Sequence, residues 1–279
     1  MDHQNSFFKA TTVLLLFFIL PTLSHSQNGT PPLAGARGAA MGQTGLTFTD
    51  IYSLFSNQAG LAYLESFSGA VQAERRFMLS EIQSLSAGAA LPTGSGTFGL
   101  SLNYFGFEDF NEQRVGLAYS RKLFSKMSIG AQFLFLNTRI PEYGNAADFT
   151  FEVGLLMEIL PQLWAGAHIF SPVRVETVDG ENLPTLLSLG LTYKPSQKVN
   201  INAEVQKDIE FKLRVKAGIE YQAAKPFFLR VGVGTEPTLV SFGVGYRIQD
   251  NLTIDLASSY HQILGFTPSI GVAYGGSDK

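Results

Sequence analysis

The sequence predicts an all-β fold: a transmembrane antiparallel β-barrel of about fourteen strands with a short N-terminal helical plug. Three observations carry this expectation. From residue 67 onward, runs of about ten residues alternate two kinds of side chain and end in turn residues. Charged residues are only 15% of the chain, against about 25% in an ordinary soluble domain, so the alternating faces do not read as water-facing surface. The connections also alternate, with a short set facing a set that includes all the longer ones.

The first element is a targeting segment. Lys9 precedes an apolar run over 13–20, and Ser24-His25-Ser26 forms a small-x-small cleavage pattern before Gln27, which predicts a signal peptide at 1–26. A membrane anchor is the competing reading, but the run falls short of the roughly 20 residues a helix needs to span a bilayer. No other stretch is long enough, so the mature chain can cross a membrane only with strands.

The bulk composition agrees. The 279 residues carry a net charge of −3, so there is no basic excess to neutralise phosphates and no nucleic-acid partner is expected. Hydrophobic residues are 45% of the chain, too many for disorder. Cysteine is absent, which removes disulfides, thiolate metal sites and a lipid-modified cysteine.

The strands follow from the period of two. In 212–221, Leu213, Val215, Ala217, Ile219 and Tyr221 share one face, while Lys212, Arg214, Lys216, Gly218 and Glu220 share the other. Segments 200–205 and 239–247 repeat the pattern. Strands are expected near 67–77, 81–91, 96–105, 112–122, 126–138, 148–160, 163–171, 185–194, 198–207, 212–222, 227–235, 238–247, 251–261 and 267–274, an even number as a single-chain bacterial barrel requires.

The short connections are 92–95, 124–125, 161–162, 195–197, 224–226 and 249–250; the longer ones are 106–111, 140–147 and 172–184. Short turns belong on the periplasmic side of such barrels, which places both chain ends in the periplasm and the protein in the outer membrane, among outer-membrane lipid. Tyr104, Tyr119, Trp164, Tyr193, Tyr221, Tyr246, Tyr260 and Tyr274 fall near strand ends, where interfacial girdles take amphipathic rings. The soluble alternative is a β-sandwich or lipocalin-like barrel. Its polar face would carry Lys, Glu and Thr, whereas here that face carries Gly99, Ser101, Gly116, Ala118, Gly130, Gly154, Gly166, Ser188, Gly190, Gly232, Gly234 and Gly271. Small residues suit a lumen in which something else packs closely.

That something is expected to be segment 27–66, ahead of the barrel at 67–279. It is rich in Gly and Ala over 35–45; Thr49-Asp50 can cap a short helix through Phe55, and Asn57 can begin another turn through Leu64. Helices so short need a host surface, and the small-residue lumen offers one.

Gly35-Ala36-Arg37-Gly38-Ala39-Ala40-Met41-Gly42, followed by Asn57-Gln58-Ala59-Gly60-Leu61-Ala62, resembles the start of FadL-like barrels of the PorV/PorQ type, which carry G-A-R-G-x-x-M-G and then N-P-A-G-L-A. Gln58 departs from the pattern, where the family has Pro. The stretches 218–221, 229–232, 241–245 and 257–265 are also similar, in the same order. The resemblance implies a fourteen-stranded barrel and two functional classes. Barrels of the PorV/PorQ type serve as adaptors in the type IX secretion machinery of Bacteroidota, with a large translocon barrel or secreted cargo as partner. FadL relatives pass hydrophobic small molecules through a lateral opening in the wall. The adaptor is the expectation, since short outer loops suit docking better than ligand capture; a hydrophobic transporter and a structural barrel are the alternatives.

No catalytic constellation stands out, so an enzyme is not expected, and neither is a cofactor or metal. His168 and His261 are far apart, and Gly94-Ser95-Gly96-Thr97-Phe98-Gly99 fits a turn between strands better than a dinucleotide loop, which opens a helix. Both signs of charge fall on the lumen face. Arg37, Asn57, Glu74, Arg76, Glu204, Arg214, Lys216, Glu220, Arg230 and Arg247 are the candidate plug and lumen network, with Glu152 and Asp255 on the same face. A conduction path is the competing reading of these charges.

Overall fold

The computed structural model describes residues 34–141, 144–173, 183–209 and 211–275. The expected signal peptide, the first residues of the plug segment and most of the connection expected at 172–184 lie outside them.

The barrel is a closed antiparallel sheet of fourteen strands, each bonded to its sequence neighbours, with β1 closing on β14. The strands are β1 (Ser68–Arg75), β2 (Gln83–Thr93), β3 (Gly96–Gly106), β4 (Asn111–Phe124), β5 (Met127–Ile140), β6 (Gly144–Leu160), β7 (Leu163–Phe170), β8 (Leu186–Ser196), β9 (Val199–Asp208), β10 (Arg214–Ala224), β11 (Phe227–Gly234), β12 (Leu239–Ile248), β13 (Leu252–His261) and β14 (Gly265–Tyr274). Closure leaves no sheet edge, which hydrocarbon would not tolerate because it cannot satisfy free N–H and C=O groups.

Alternation decides which side chain faces where. On β10, Ile219 is 45% exposed on the outside of the barrel while its neighbour Glu220 is 3% exposed inside. Leu213, Val215 and Tyr221 share the outer face, and Lys216 is buried on the inner one. Tyr119, Tyr193, Tyr221, Tyr246 and Tyr274 stand exposed near one rim, with Tyr260 near the other. Trp164 departs from the girdle expectation. It shares its parity with Gly166 and His168, faces inward, and packs edge-on against Tyr63 with ring centroids 5.0 Å apart.

Gly69 pairs with Tyr274, so the barrel begins and ends at the same rim. That rim also carries the six short turns between β2–β3, β4–β5, β6–β7, β8–β9, β10–β11 and β12–β13, and is called the turn rim; the opposite one is the loop rim. Register shifts occur between Lys122 and Phe124, Glu158 and Leu160, Tyr193 and Ser196, and Gln222 and Ala224, all beside these turns.

Two expectations from the sequence need correction at the loop rim. The connection expected at 140–147 is largely strand: β5 and β6 pair as far as Ile140 with Gly144. Small and polar residues predominate over 137–140 and 144–147, so hydrophobic alternation fades there while backbone pairing continues. The first strand, expected to reach residue 77, stops at Arg75. A 3-10 turn over Arg76–Met78 follows, with Phe77 and Met78 at φ 54° and 63°. This turn leans onto β14: the Phe77 N–H donates to Thr267 Oγ1 at 3.0 Å, and the Phe77 ring meets His261.

The plug comprises helix α1 (Gly35–Ala40) and 3-10 turns over Ile51–Phe55 and Gln58–Tyr63. The α1 stretch was expected only as a Gly/Ala-rich run. The two turns start where their caps predict: Asp50 accepts from the Tyr52 N–H and Asn57 from the Ala59 N–H. Met41, Phe48, Ile51, Tyr52, Leu54, Phe55 and Leu61 are buried with Ala70, Ala90 and Ala118 of the wall in one cluster. Burying each large side chain is worth about 1.5–3 kcal/mol, and this contact stabilises turns too short to persist alone.

Candidate functional site

The site is the lumen, and its turn-rim half is organised around the plug. Close approach there requires small wall residues. Gly42 has φ +71°, and a Cβ on it would lie 2.5 Å from the Val233 carbonyl oxygen. Its N–H donates to Ser241 Oγ at 2.8 Å, and that hydroxyl donates on to the Ala40 carbonyl at 2.9 Å. Across the lumen, a Cβ on Gly154 would overlap Asn57 Oδ1. Asn57 is fully buried and donates to the carbonyls of Leu46 at 2.8 Å and Leu155 at 3.1 Å, tying plug to β6. Glu204 of β9 accepts from the backbone N–H groups of Gly45 and Leu46 at 2.6 and 2.7 Å. Gln58 Nε2 donates to Glu152 at 2.6 Å, and the other Glu152 oxygen lies 3.4 Å from His168.

A chain of charges crosses from plug to wall. Asp50 pairs with Arg37, both on the plug. Arg37 donates twice to Glu220 of β10, at 2.9 and 2.7 Å, while its guanidinium lies 4.4 Å from the Phe48 ring centroid. Glu220 also accepts from Arg230 at 2.6 Å and from Asn200 at 2.8 Å. Arg230 reaches Asp255 at 2.6 Å, and Tyr52 of the plug donates to Asp255 at 3.3 Å. Burial, then the carboxylates of Asp255 and Asp50, hold the Tyr52 phenol well above its ordinary pKa, so it remains a donor. Glu220 is the hub of this chain. Buried ion pairs contribute little net stability over an apolar core, but removing one partner typically costs about 3–5 kcal/mol because the other charge is left buried alone.

The candidate residues therefore sort by depth. Arg37, Glu220 and Arg230 meet in one cluster, and Asn57 and Glu204 hold the plug by hydrogen bonds. Lys216 is buried and pairs across the ladder with Glu204. Arg247 stands near the turn rim over the Phe228 ring, 4.8 Å from its centroid. Glu74, Arg76 and Arg214 belong to the loop half: Arg76 pairs with Glu74 at 2.9 Å, and Arg214 donates to the Glu236 carbonyl at 2.7 Å. The sequence reading missed Asp50 and Tyr52 as members of the charge chain. Asp50 was legible only as a cap; one carboxylate oxygen caps the turn and the other pairs with Arg37.

The loop half of the lumen has a different lining. Leu134, Leu136, Phe170, Leu183 and Leu186 form a buried apolar cluster from β5, β7, β8 and the segment before β8. Arg114 stands opposite Leu136 in the β4–β5 ladder, 3.0 Å from Glu112 and buried, with Nη1 lacking a hydrogen bond among the described residues. The ladders from β1 through β4 run without a register shift among the described residues, so the wall beside the plug is unbroken there.

No protein-family model matches the chain, and no curated protein matches it in sequence. Solved structures do match in fold. The toluene transporter TodX of Pseudomonas putida superposes with a TM-score of 0.69 at 13% identity, covering 91% of this chain and 100% of that one. A FadL homologue from Pseudomonas aeruginosa gives 0.68 at 13% identity, covering 88% and 99%. The toluene transporter TbuX of Ralstonia pickettii gives 0.64 at 15% identity, covering 87% and 98%. The chain thus has the FadL-like β-barrel fold, a fold whose solved examples include toluene transporters.

Proposed function

We propose that this barrel sits in the outer membrane, turn rim toward the periplasm, and conducts hydrophobic small molecules. The carrying observation is the near full-length likeness to barrels named as toluene transporters, joined to an apolar cluster on the inner wall of the loop half. Leu134, Leu136, Phe170 and Leu186 give an incoming apolar solute a surface above the plug, and the charged plug closes the path below it. The test is uptake of labelled toluene by cells lacking other such channels. Phe170→Arg places an unpaired cation on the apolar cluster and should cut uptake severalfold while the barrel still assembles; unchanged uptake would remove the cluster from the pathway.

A second reading keeps the barrel as an adaptor of type IX secretion. The N-terminal motif and the unbroken early ladders favour it, because a docking barrel needs no opening in its wall. Pull-down of tagged protein from outer membranes in mild detergent, with mass spectrometry of proteins and lipids, separates the two. A translocon barrel or secreted cargo supports the adaptor; a lone barrel carrying a hydrophobic compound supports the channel.

A further inference from the structure

Between the plug and the turn rim, the lumen opens into a vestibule of about 760 Å³. That volume falls in the roughly 300–1,000 Å³ range of small-molecule sites. Its floor is the plug surface at Arg37, Asp50 and Tyr52, and its walls include Trp164, Lys194, Phe228 and Arg247.

The charges lining it are of two kinds. Arg37, Asp50, Glu220, Arg230 and Asp255 satisfy one another in the chain described above. Arg247 does not join them. It faces inward from β12, partly exposed, and among the described residues its only side-chain partner is the face of Phe228. Lys194 is placed in the same way, with its ammonium 5.8 Å from the Trp164 ring centroid. The one remaining lining carboxylate, Asp250, sits on an exposed turn. Two uncommitted cations, each resting on an aromatic ring, therefore face one carboxylate at the mouth.

We infer that this vestibule binds a small organic anion, an aryl carboxylate, through Arg247. The guanidinium fork matches a carboxylate in two parallel hydrogen bonds, and its contact with the Phe228 ring holds it in place before the ligand arrives. Lys194 adds charge, and the exposed part of Trp164 takes the apolar portion of the ligand. The Phe228 ring also meets Arg230, at 5.5 Å, so the anion site shares a wall with the chain that fixes the plug. This does not depend on which solute crosses the barrel.

Benzoate titrated calorimetrically into the full-length barrel in phosphatidylcholine nanodiscs tests the inference, with neutral benzamide as the isosteric control. Benzoate should bind and benzamide should be weaker by about tenfold or more, the scale of one charge-assisted hydrogen bond. Arg247→Met should weaken benzoate by a similar factor and Arg247→Lys by less. Lys194→Met should cost a few-fold, which gives a reading independent of the folding of the Arg247→Met protein. Arg114→Met, in the loop half, should leave benzoate affinity unchanged. Absence of benzoate binding, equal binding of benzamide, or loss in Arg114→Met with retention in Arg247→Met would overturn the assignment.

Discussion

The two halves of the lumen are built differently. Beside the plug, many inward wall positions are small, and the plug fills the space with backbone contacts, a buried apolar cluster and the Glu220-centred charges. In the loop half, the inward positions include large residues: Phe105, Arg114, Leu134, Leu136, Phe170 and Leu186. There the ion pairs are local, as between Glu74 and Arg76 two residues apart. Residue size at inward positions thus marks where the wall was shaped to receive another segment and where it presents its own surface. Stability against plug release should be concentrated in the turn half, and selectivity in the loop half.

The most direct way to break this contrast is Glu220→Ala. Arg37 and Arg230 would both lose their shared partner, and plug attachment should weaken by about 3–5 kcal/mol. Hydrogen exchange over 35–63 should rise steeply while the strands keep their protection; an unchanged plug would show that the charge chain does not hold it.

Steric contact ranks next. Gly154→Ala drives a Cβ into Asn57, for about 1–3 kcal/mol of overpacking, whereas a Cβ on Gly69 meets nothing nearer than 3.5 Å, so Gly69→Ala should be neutral. A denaturant titration following plug protection compares the two, and equal effects would mean that Asn57 is not wedged against the wall.

Gln58→Pro sharpens the comparison with the resembling motif. Position 58 opens a 3-10 turn, and Asn57 before it is extended at φ −146°, ψ 100°, a backbone that proline accepts in its neighbour. The substitution removes the side-chain bonds to Glu152 and to the Leu54 carbonyl, about 1.5–3 and 0.5–1.5 kcal/mol, partly offset by the stiffer unfolded chain. The plug should remain seated with a loss of about 1–3 kcal/mol on that reckoning; plug release would mean that this chain's backbone departs from the motif. The smallest effect belongs to Glu74→Gln in the loop half, at most about 1 kcal/mol, because Arg76 keeps access to water. A thermal melt of the barrel should barely move.

How much was legible in the sequence follows the same division. The strand period, the even number and the inward small residues could be read directly, because an apolar outer face and a plug inside impose opposite demands on alternate residues. The caps at Asp50 and Asn57 were equally local. The partnership of Arg37 with Glu220 was not, since it joins residues 183 positions apart and depends on where the plug comes to rest. The sequence offered both as lumen charges without saying that they meet. The strand ends at 139–140 and 144–147 escaped because hydrophobic alternation fades there, and Trp164 was misplaced because a ring near a strand end fits the girdle and the vestibule alike. The apolar cluster at Leu134, Leu136, Phe170 and Leu186 was hidden by a rule that puts large apolar residues on the lipid face.

The account turns on the plug closing the lumen and on Glu220 holding it there. Single-channel conductance in planar bilayers tests both at once, by comparing the intact chain with Glu220→Ala. The intact barrel should be silent or nearly so, and the variant should show frequent conducting steps as the plug loses its anchor. Large, stable openings from the intact chain would contradict the claim.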